Sequence, residues 1–116
     1  MQFNYNNRVF RLVSTTGNGE VGATTLFHYY QQGNIVWGTY EGGTVRLGNF
    51  LALADENGCL DLRYQHINQQ DELMTGFCKS TPTVLDDGRI RLDEKWQWTS
   101  GDRSEGVSAV EEIPIA

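Results

Sequence analysis

The stretch Arg89-Ile90-Arg91-Leu92-Asp93-Glu94-Lys95-Trp96-Gln97-Trp98 alternates between two kinds of residue without a break. A period of two predicts a β-strand with one dry face and one solvated face. The dry face holds two of the three tryptophans and one carboxylate; its members are Ile90, Leu92, Glu94, Trp96 and Trp98. Such a face has to pack against other strands, so the stretch predicts a closed β-barrel or a β-sandwich.

Seven further segments also read as strands, and they are separated by turns rich in glycine, asparagine and aspartate. These segments are 9–13, 21–30, 35–41, 44–54, 60–66, 73–81 and 107–113. No window shows a convincing helical period. Because every connection is short, the strands are expected to form an antiparallel meander. We therefore predict an all-β up-and-down barrel of about eight strands, with a β-sandwich as the alternative.

Length and charge limit the classes of partner. The 116 residues fit one domain spanning 1–116. The net charge is −6, and the nine basic residues are scattered among fifteen acidic ones. This distribution argues against binding to nucleic acid or to an anionic membrane surface. Residues 1–14 have no apolar signal core, and two cysteines fit a reducing compartment, so we expect a cytoplasmic protein with free thiols.

Sequence motifs give little support to an enzyme. The chain has no C-x-x-C pair, and His28 and His66 lie far apart, so no metal site is expected. It also lacks the nucleophile elbow, the phosphate-binding P-loop and the dinucleotide-binding glycine motif. A glutamate and a histidine alone do not establish acid–base chemistry. We therefore expect no cofactor and assign no catalytic residue.

Glu94 is the residue on which a functional hypothesis depends. A buried carboxylate costs several kcal/mol unless it is paired or hydrogen-bonded. The predicted inward residues that could pair with it are His66, Lys79, Tyr64 or another tyrosine, with Thr75 on the same face as Lys79. A ligand cavity would have aromatic walls and polar contacts, and its candidate residues are Glu94, His66, Tyr64, His28 (which shares a face with Tyr30), Tyr40, Trp37, Trp96 and Trp98. The alternative is a filled barrel that acts as a structural or interaction module, and either form is expected as a monomer or a homodimer.

Five segments also carry a resemblance to a known family: 27–37, Gly42-Gly43, 62–66, 72–76 and 94–102. Over nearly its whole length the chain resembles a family of small bacterial proteins whose members commonly carry the automated label N-acetylglutamate synthase. The resemblance implies a bacterial, cytoplasmic protein, and the label implies acetyl transfer to glutamate. The chain lacks the Arg/Gln-x-x-Gly-x-Gly/Ala loop and the following helix that usually hold acetyl-CoA, so we do not carry this activity over. The expected architecture is also similar to lipocalin- and avidin-type barrels.

Overall fold

Eight antiparallel strands close into a barrel in the computed structural model, which describes residues 3–114. The strands are β1 (Arg8–Thr15), β2 (Leu26–Gln32), β3 (Ile35–Gly42), β4 (Val45–Ala54), β5 (Leu60–Asn68), β6 (Leu73–Val84), β7 (Ile90–Trp98) and β8 (Glu105–Ile113). Each strand pairs with the next, and β8 pairs with β1. The predicted up-and-down barrel is therefore confirmed, and the β-sandwich is excluded. Residues 3–114 contain no helix that could cross a membrane.

Two of the predicted strands differ from the structure by three residues or more at one end. The second strand begins at Leu26 and not at residue 21, because residues 16–25 form a connection, here called the β1–β2 loop. The sixth strand continues past residue 81 to Val84, with Pro82 paired opposite Leu92. Residues 21–25, which are rich in threonine and glycine, therefore belong to the loop, and Pro82 does not end β6.

The two ends of the barrel differ in how they are filled. At one end, here called the closed end, the N-terminal segment packs beneath β2 and the β4–β5 turn. Tyr5 is fully buried there and donates a hydrogen bond from its hydroxyl to the Gly58 carbonyl oxygen at 2.6 Å. Phe10, Leu60 and Leu92 fill the space beside it, each at most 1% exposed. The opposite end, here called the loop end, carries the β1–β2 loop.

Inward-facing glycines let large aromatic rings fit inside the barrel. In four places a ring lies over a glycine directly opposite on the next strand, in the pairs Tyr40–Gly48, Phe50–Gly38, Tyr64–Gly76 and Trp96–Gly106. A methyl group added at any of these glycines would approach ring or hydroxyl atoms of its partner to 2.2–2.6 Å. That distance is well inside van der Waals contact, so these positions exclude any larger side chain.

The substitution Gly48→Ala tests this packing. Its new methyl group would lie 2.5 Å from Cζ of Tyr40, so the ring would have to move. We expect a loss of about 2 kcal/mol or more in the free energy of unfolding, measured by urea denaturation. Gly17→Ala is the control, because a Cβ at Gly17 meets no atom within 4 Å. Equal stabilities of the two variants would contradict the packing argument.

Candidate functional site

A cavity of about 70 Å³ lies inside the barrel toward the loop end. It has room for several water molecules, since one water needs about 10–15 Å³ on a comparable measure. Most of its wall is aromatic, and its polar groups are few. The lining residues are Gly19, Glu20, Val21, Phe27, Tyr29, Tyr40, Phe50, Leu62, Tyr64, His66, Cys78, Glu94, Trp96, Trp98 and Ser108.

Glu94 is half-buried and borders this cavity from the middle of β7. Its carboxylate accepts hydrogen bonds from the hydroxyls of Ser108 at 3.0 Å and Ser80 at 3.4 Å. Burial raises the pKa of Glu94 from 4.5 to about 7, and the hydrogen bonds from Ser108, Ser80 and Cys78 offset only part of that effect. None of the predicted partners, His66, Lys79 or a tyrosine, is hydrogen-bonded to it. In the described part of the chain its partners are small neutral groups, and no cation neutralises its charge.

Tryptophan and tyrosine rings form the flat walls beside Glu94. The Trp96 and Trp98 rings have centroids 5.7 Å apart at an interplanar angle of 64°. Trp98 also meets Tyr64 at 5.8 Å and His66 at 5.7 Å, in both cases edge to face. These contacts lock the rings in place, so the cavity has a rigid apolar wall of the kind that suits a small flat group.

The β1–β2 loop places a second carboxylate, Glu20, at the mouth of the cavity. Glu20 Oε1 lies 2.8 Å from Nε2 of His66, and Asn68 donates from its amide to both Glu20 oxygens at 3.2 and 3.3 Å. On its other side, Nδ1 of His66 lies 2.8 Å from the Tyr40 hydroxyl. Burial raises the pKa of Tyr40 well above 10, so this hydroxyl stays protonated and can donate a hydrogen bond to Nδ1 of His66. A continuous chain of hydrogen bonds therefore ties the loop to β3 and β5.

Six of the eight candidate residues come together around the cavity. These are Glu94, His66, Tyr64, Tyr40, Trp96 and Trp98. The predicted inward placement of the other two, His28 and Trp37, is wrong. On β2 the inward residues are Phe27 and Tyr29, so His28 lies on the outer face. Trp37 also lies there, 37% exposed and packed against Tyr30 at 6.1 Å.

The predicted face of β6 is also wrong by one residue. Lys79, which was expected inside together with Thr75, lies on the outer face, with Nζ 3.3 Å from an Asp61 oxygen. Tyr64 pairs with Gly76 and Leu62 with Cys78, and this register turns Cys78 and Ser80 inward. The Cys78 thiol is buried and Cys59 partly so, and both are free, as predicted.

Several lining residues were not predicted from the sequence. Phe27, Tyr29 and Phe50 lie on strands that have aromatic or apolar residues on both faces. The sequence pattern therefore does not show which of these side chains point into the barrel. Glu20 lies in a loop without periodicity, so no local signal identifies it. Ser108 could have been found only by placing β8 opposite β7, where it pairs with Glu94.

The substitution Glu94→Gln should remove a pH dependence of stability. Folding raises the pKa of Glu94 from 4.5 to about 7, so the folded state binds more protons between these values. Stability contributed by this group is therefore lost as the pH rises from 4.5 to 7, and it stays low above 7. At 1.36 kcal/mol per pKa unit the loss is about 3 kcal/mol. Urea denaturation should show Glu94→Gln about as stable as the native protein at pH 4.5 and more stable at pH 8.

Glu56→Gln is the matched control for this experiment. Glu56 is exposed in the β4–β5 turn, so the same change of charge is made far from the cavity. Its stability should follow that of the native protein from pH 4.5 to pH 8. A difference between Glu94→Gln and the native protein that stays constant with pH would contradict the burial of this carboxylate.

Comparison with known proteins agrees with this architecture. The sequence profile of a family described as avidin-like protein matches residues 3–113. No curated protein and no solved structure shows significant similarity to the chain. The match spans the whole barrel, including β7 and the β1–β2 loop, and confirms the resemblance to avidin-type barrels. The chain therefore belongs to the avidin-like protein family.

Proposed function

We propose that the protein binds a small ligand inside the barrel, in the cavity beneath the β1–β2 loop. The observation that carries this proposal is the open space beside Glu94, whose carboxylate lines the same cavity as the Trp96 and Trp98 rings. A barrel that served only as a scaffold would be more stable with an apolar side chain at this position, because burying a carboxylate is costly. Space, a flat apolar wall and a few polar groups are the usual features of a small-molecule site.

The β1–β2 loop would act as the cover of this site. Side chains hold the loop at the mouth: Glu20 contacts His66, and the Trp98 indole donates to the Asn18 carbonyl oxygen at 3.2 Å. The Asn18 amide in turn donates to the Glu105 carbonyl oxygen at 2.8 Å. Few of these contacts belong to a strand ladder, so the loop can open without unpairing the barrel. A ligand larger than the closed cavity would be admitted in this way.

Acetyl transfer, the activity that the family label implies, is less well supported by the cavity. Glutamate and acetyl-CoA are both anionic, whereas the lining carries two carboxylates and no lysine or arginine. Binding them would place like charges together in a site with little water. Incubation with acetyl-CoA and glutamate tests this activity directly, and we expect no acetylated product above background.

A thermal-shift screen of small metabolites tests the proposed binding. A ligand at 100 times its Kd raises the stability of the folded state by about 2.7 kcal/mol, which corresponds to a rise of several degrees in Tm. We expect Val21→Trp to abolish such shifts, because Val21 lines the cavity from the loop and an indole there would fill the mouth. Val84→Trp makes the same change at an exposed site next to the closed end and should leave the shifts intact.

Two outcomes would contradict the proposal. One is a screen in which no compound raises the Tm of the native protein. The other is a set of shifts that Val21→Trp retains in full, because the compounds would then bind elsewhere on the surface. In either case the filled barrel becomes the better description.

A further inference from the structure

We propose that the ligand is a small organic cation, with an amidinium, guanidinium or ammonium group on an apolar body. This inference rests on the proposed function, since it concerns the same cavity. Its starting point is the sign of the charges around that space. Two carboxylates, Glu94 and Glu20, face it, and the lining contains no lysine or arginine.

His66 is the one basic side chain in the lining, and it is already engaged on both sides. Its Nε2 faces Glu20 at 2.8 Å, and its Nδ1 faces the Tyr40 hydroxyl at 2.8 Å. Both ring nitrogens therefore already have a partner. Neither nitrogen is left over to receive an anionic ligand.

Glu94 lacks the counterion that a buried carboxylate usually has. Its hydrogen bonds come only from small neutral groups: the hydroxyls of Ser108 at 3.0 Å and Ser80 at 3.4 Å, and the Cys78 thiol. Buried charges in proteins are normally paired with an opposite charge or a metal. A ligand cation reaching into the cavity would supply that missing charge and would form charge-assisted hydrogen bonds with the carboxylate.

The walls around Glu94 suit the same kind of ligand. Trp96 and Trp98 lie on the same face of β7 as Glu94. Burial raises the pKa of Tyr29 and Tyr64, and the nearby charge of Glu94 adds to both shifts. Cations are attracted to the faces of tryptophan and tyrosine rings, and this attraction strengthens where water is excluded. The carboxylate and the rings would therefore bind the charged group together.

The protonation state of Glu94 distinguishes a cationic ligand from a ligand that accepts a hydrogen bond. An ionised Glu94 would bind a cation, whereas a protonated Glu94 would donate a hydrogen bond to a carbonyl or a carboxylate. Because the pKa of Glu94 is about 7, affinity for a cation should rise as the pH rises through neutrality, and affinity for an acceptor should fall. Cys78, Tyr29 and Tyr64 face Glu94 from other strands, and burial raises the pKa of each, so they stay neutral over this range. The charged groups near Glu94 are Asp93, which raises its pKa further, and Lys79 and Lys95, which border the outer depression that Glu94 also lines.

Two sets of matched compounds test the proposal by titration calorimetry. Benzamidinium, benzamide and benzoate have nearly the same shape and carry positive, zero and negative charge. Acetamidinium, acetamide and acetate form a smaller set for the case that the cavity excludes the ring. At pH 8 and physiological salt we expect the amidinium of at least one set to bind about tenfold or more tightly than its amide, and the carboxylate to bind weakest.

Variants locate this preference at Glu94. Lowering the pH from 8 to 5.5 should weaken amidinium binding about tenfold or more, in line with the protonation of Glu94. Glu94→Gln should lose both the preference and its pH dependence, whereas Glu20→Gln should keep the pH dependence. Glu56→Gln, on the exposed β4–β5 turn, should behave like the native protein. Because the net charge of −6 attracts any cation to the surface, binding must also be lost in Val21→Trp.

The results separate this inference from the proposed function. Tighter binding of the amide or the carboxylate, abolished by Val21→Trp, would overturn the cationic ligand and leave a binding barrel. Amidinium binding that survives Glu94→Gln or Val21→Trp would also overturn it. If no amidinium binds, the inference fails, and the metabolite screen decides separately whether the cavity binds anything.

Discussion

The stacking of aromatic rings on cross-strand glycines is the constraint on which the rest of the barrel depends. Eight strands enclose an interior of nearly fixed width, just large enough for packed side chains or one small ligand. This chain directs many aromatic rings into that space, and four of them lie over a glycine on the neighbouring strand. Large and small residues therefore alternate around the wall. The cavity lies where the rings leave space beside Glu94, Cys78 and Ser108.

The position of Glu94 lowers the free energy of unfolding at neutral pH. Its ionised form is held by Ser80 and Ser108 without a counterion, and burial raises its pKa to about 7. Near neutral pH the folded protein therefore contains a carboxylate that a glutamine could replace with a gain in stability. Local rules of packing are broken in this way mainly at functional or strained sites. The unpaired charge of Glu94 thus both lowers the stability of the barrel and provides the group that would bind the proposed ligand.

The sequence predicted the barrel and much of the site because β5 and β7 alternate cleanly, which fixes the direction of Tyr64, His66 and Glu94. It did not fix β2, where Phe27-His28-Tyr29-Tyr30 has aromatic residues on both faces and a shift of one residue is equally plausible. The predicted inward face of β6 was wrong for a related reason. The length of the turn before β6 decides whether Cys78 or Lys79 faces inward. Glu20 could not be predicted, because only tertiary packing of the β1–β2 loop brings it to the mouth.

The seam between β1 and β2 explains why that loop is the natural cover. The two strands pair only from Arg8–Tyr29 to Arg11–Leu26, whereas β1 pairs with β8 from Val9 to Thr15. The end of β1 beyond Arg11 therefore has no partner on β2. The wall of the barrel is therefore incomplete at the loop end, and the β1–β2 loop fills the opening through side-chain contacts. Contacts of this kind can break one at a time, whereas a strand ladder opens cooperatively. In the proposed mode of access, the loop would open without loss of strand pairing, and the wall formed by β5 to β8 would stay in place.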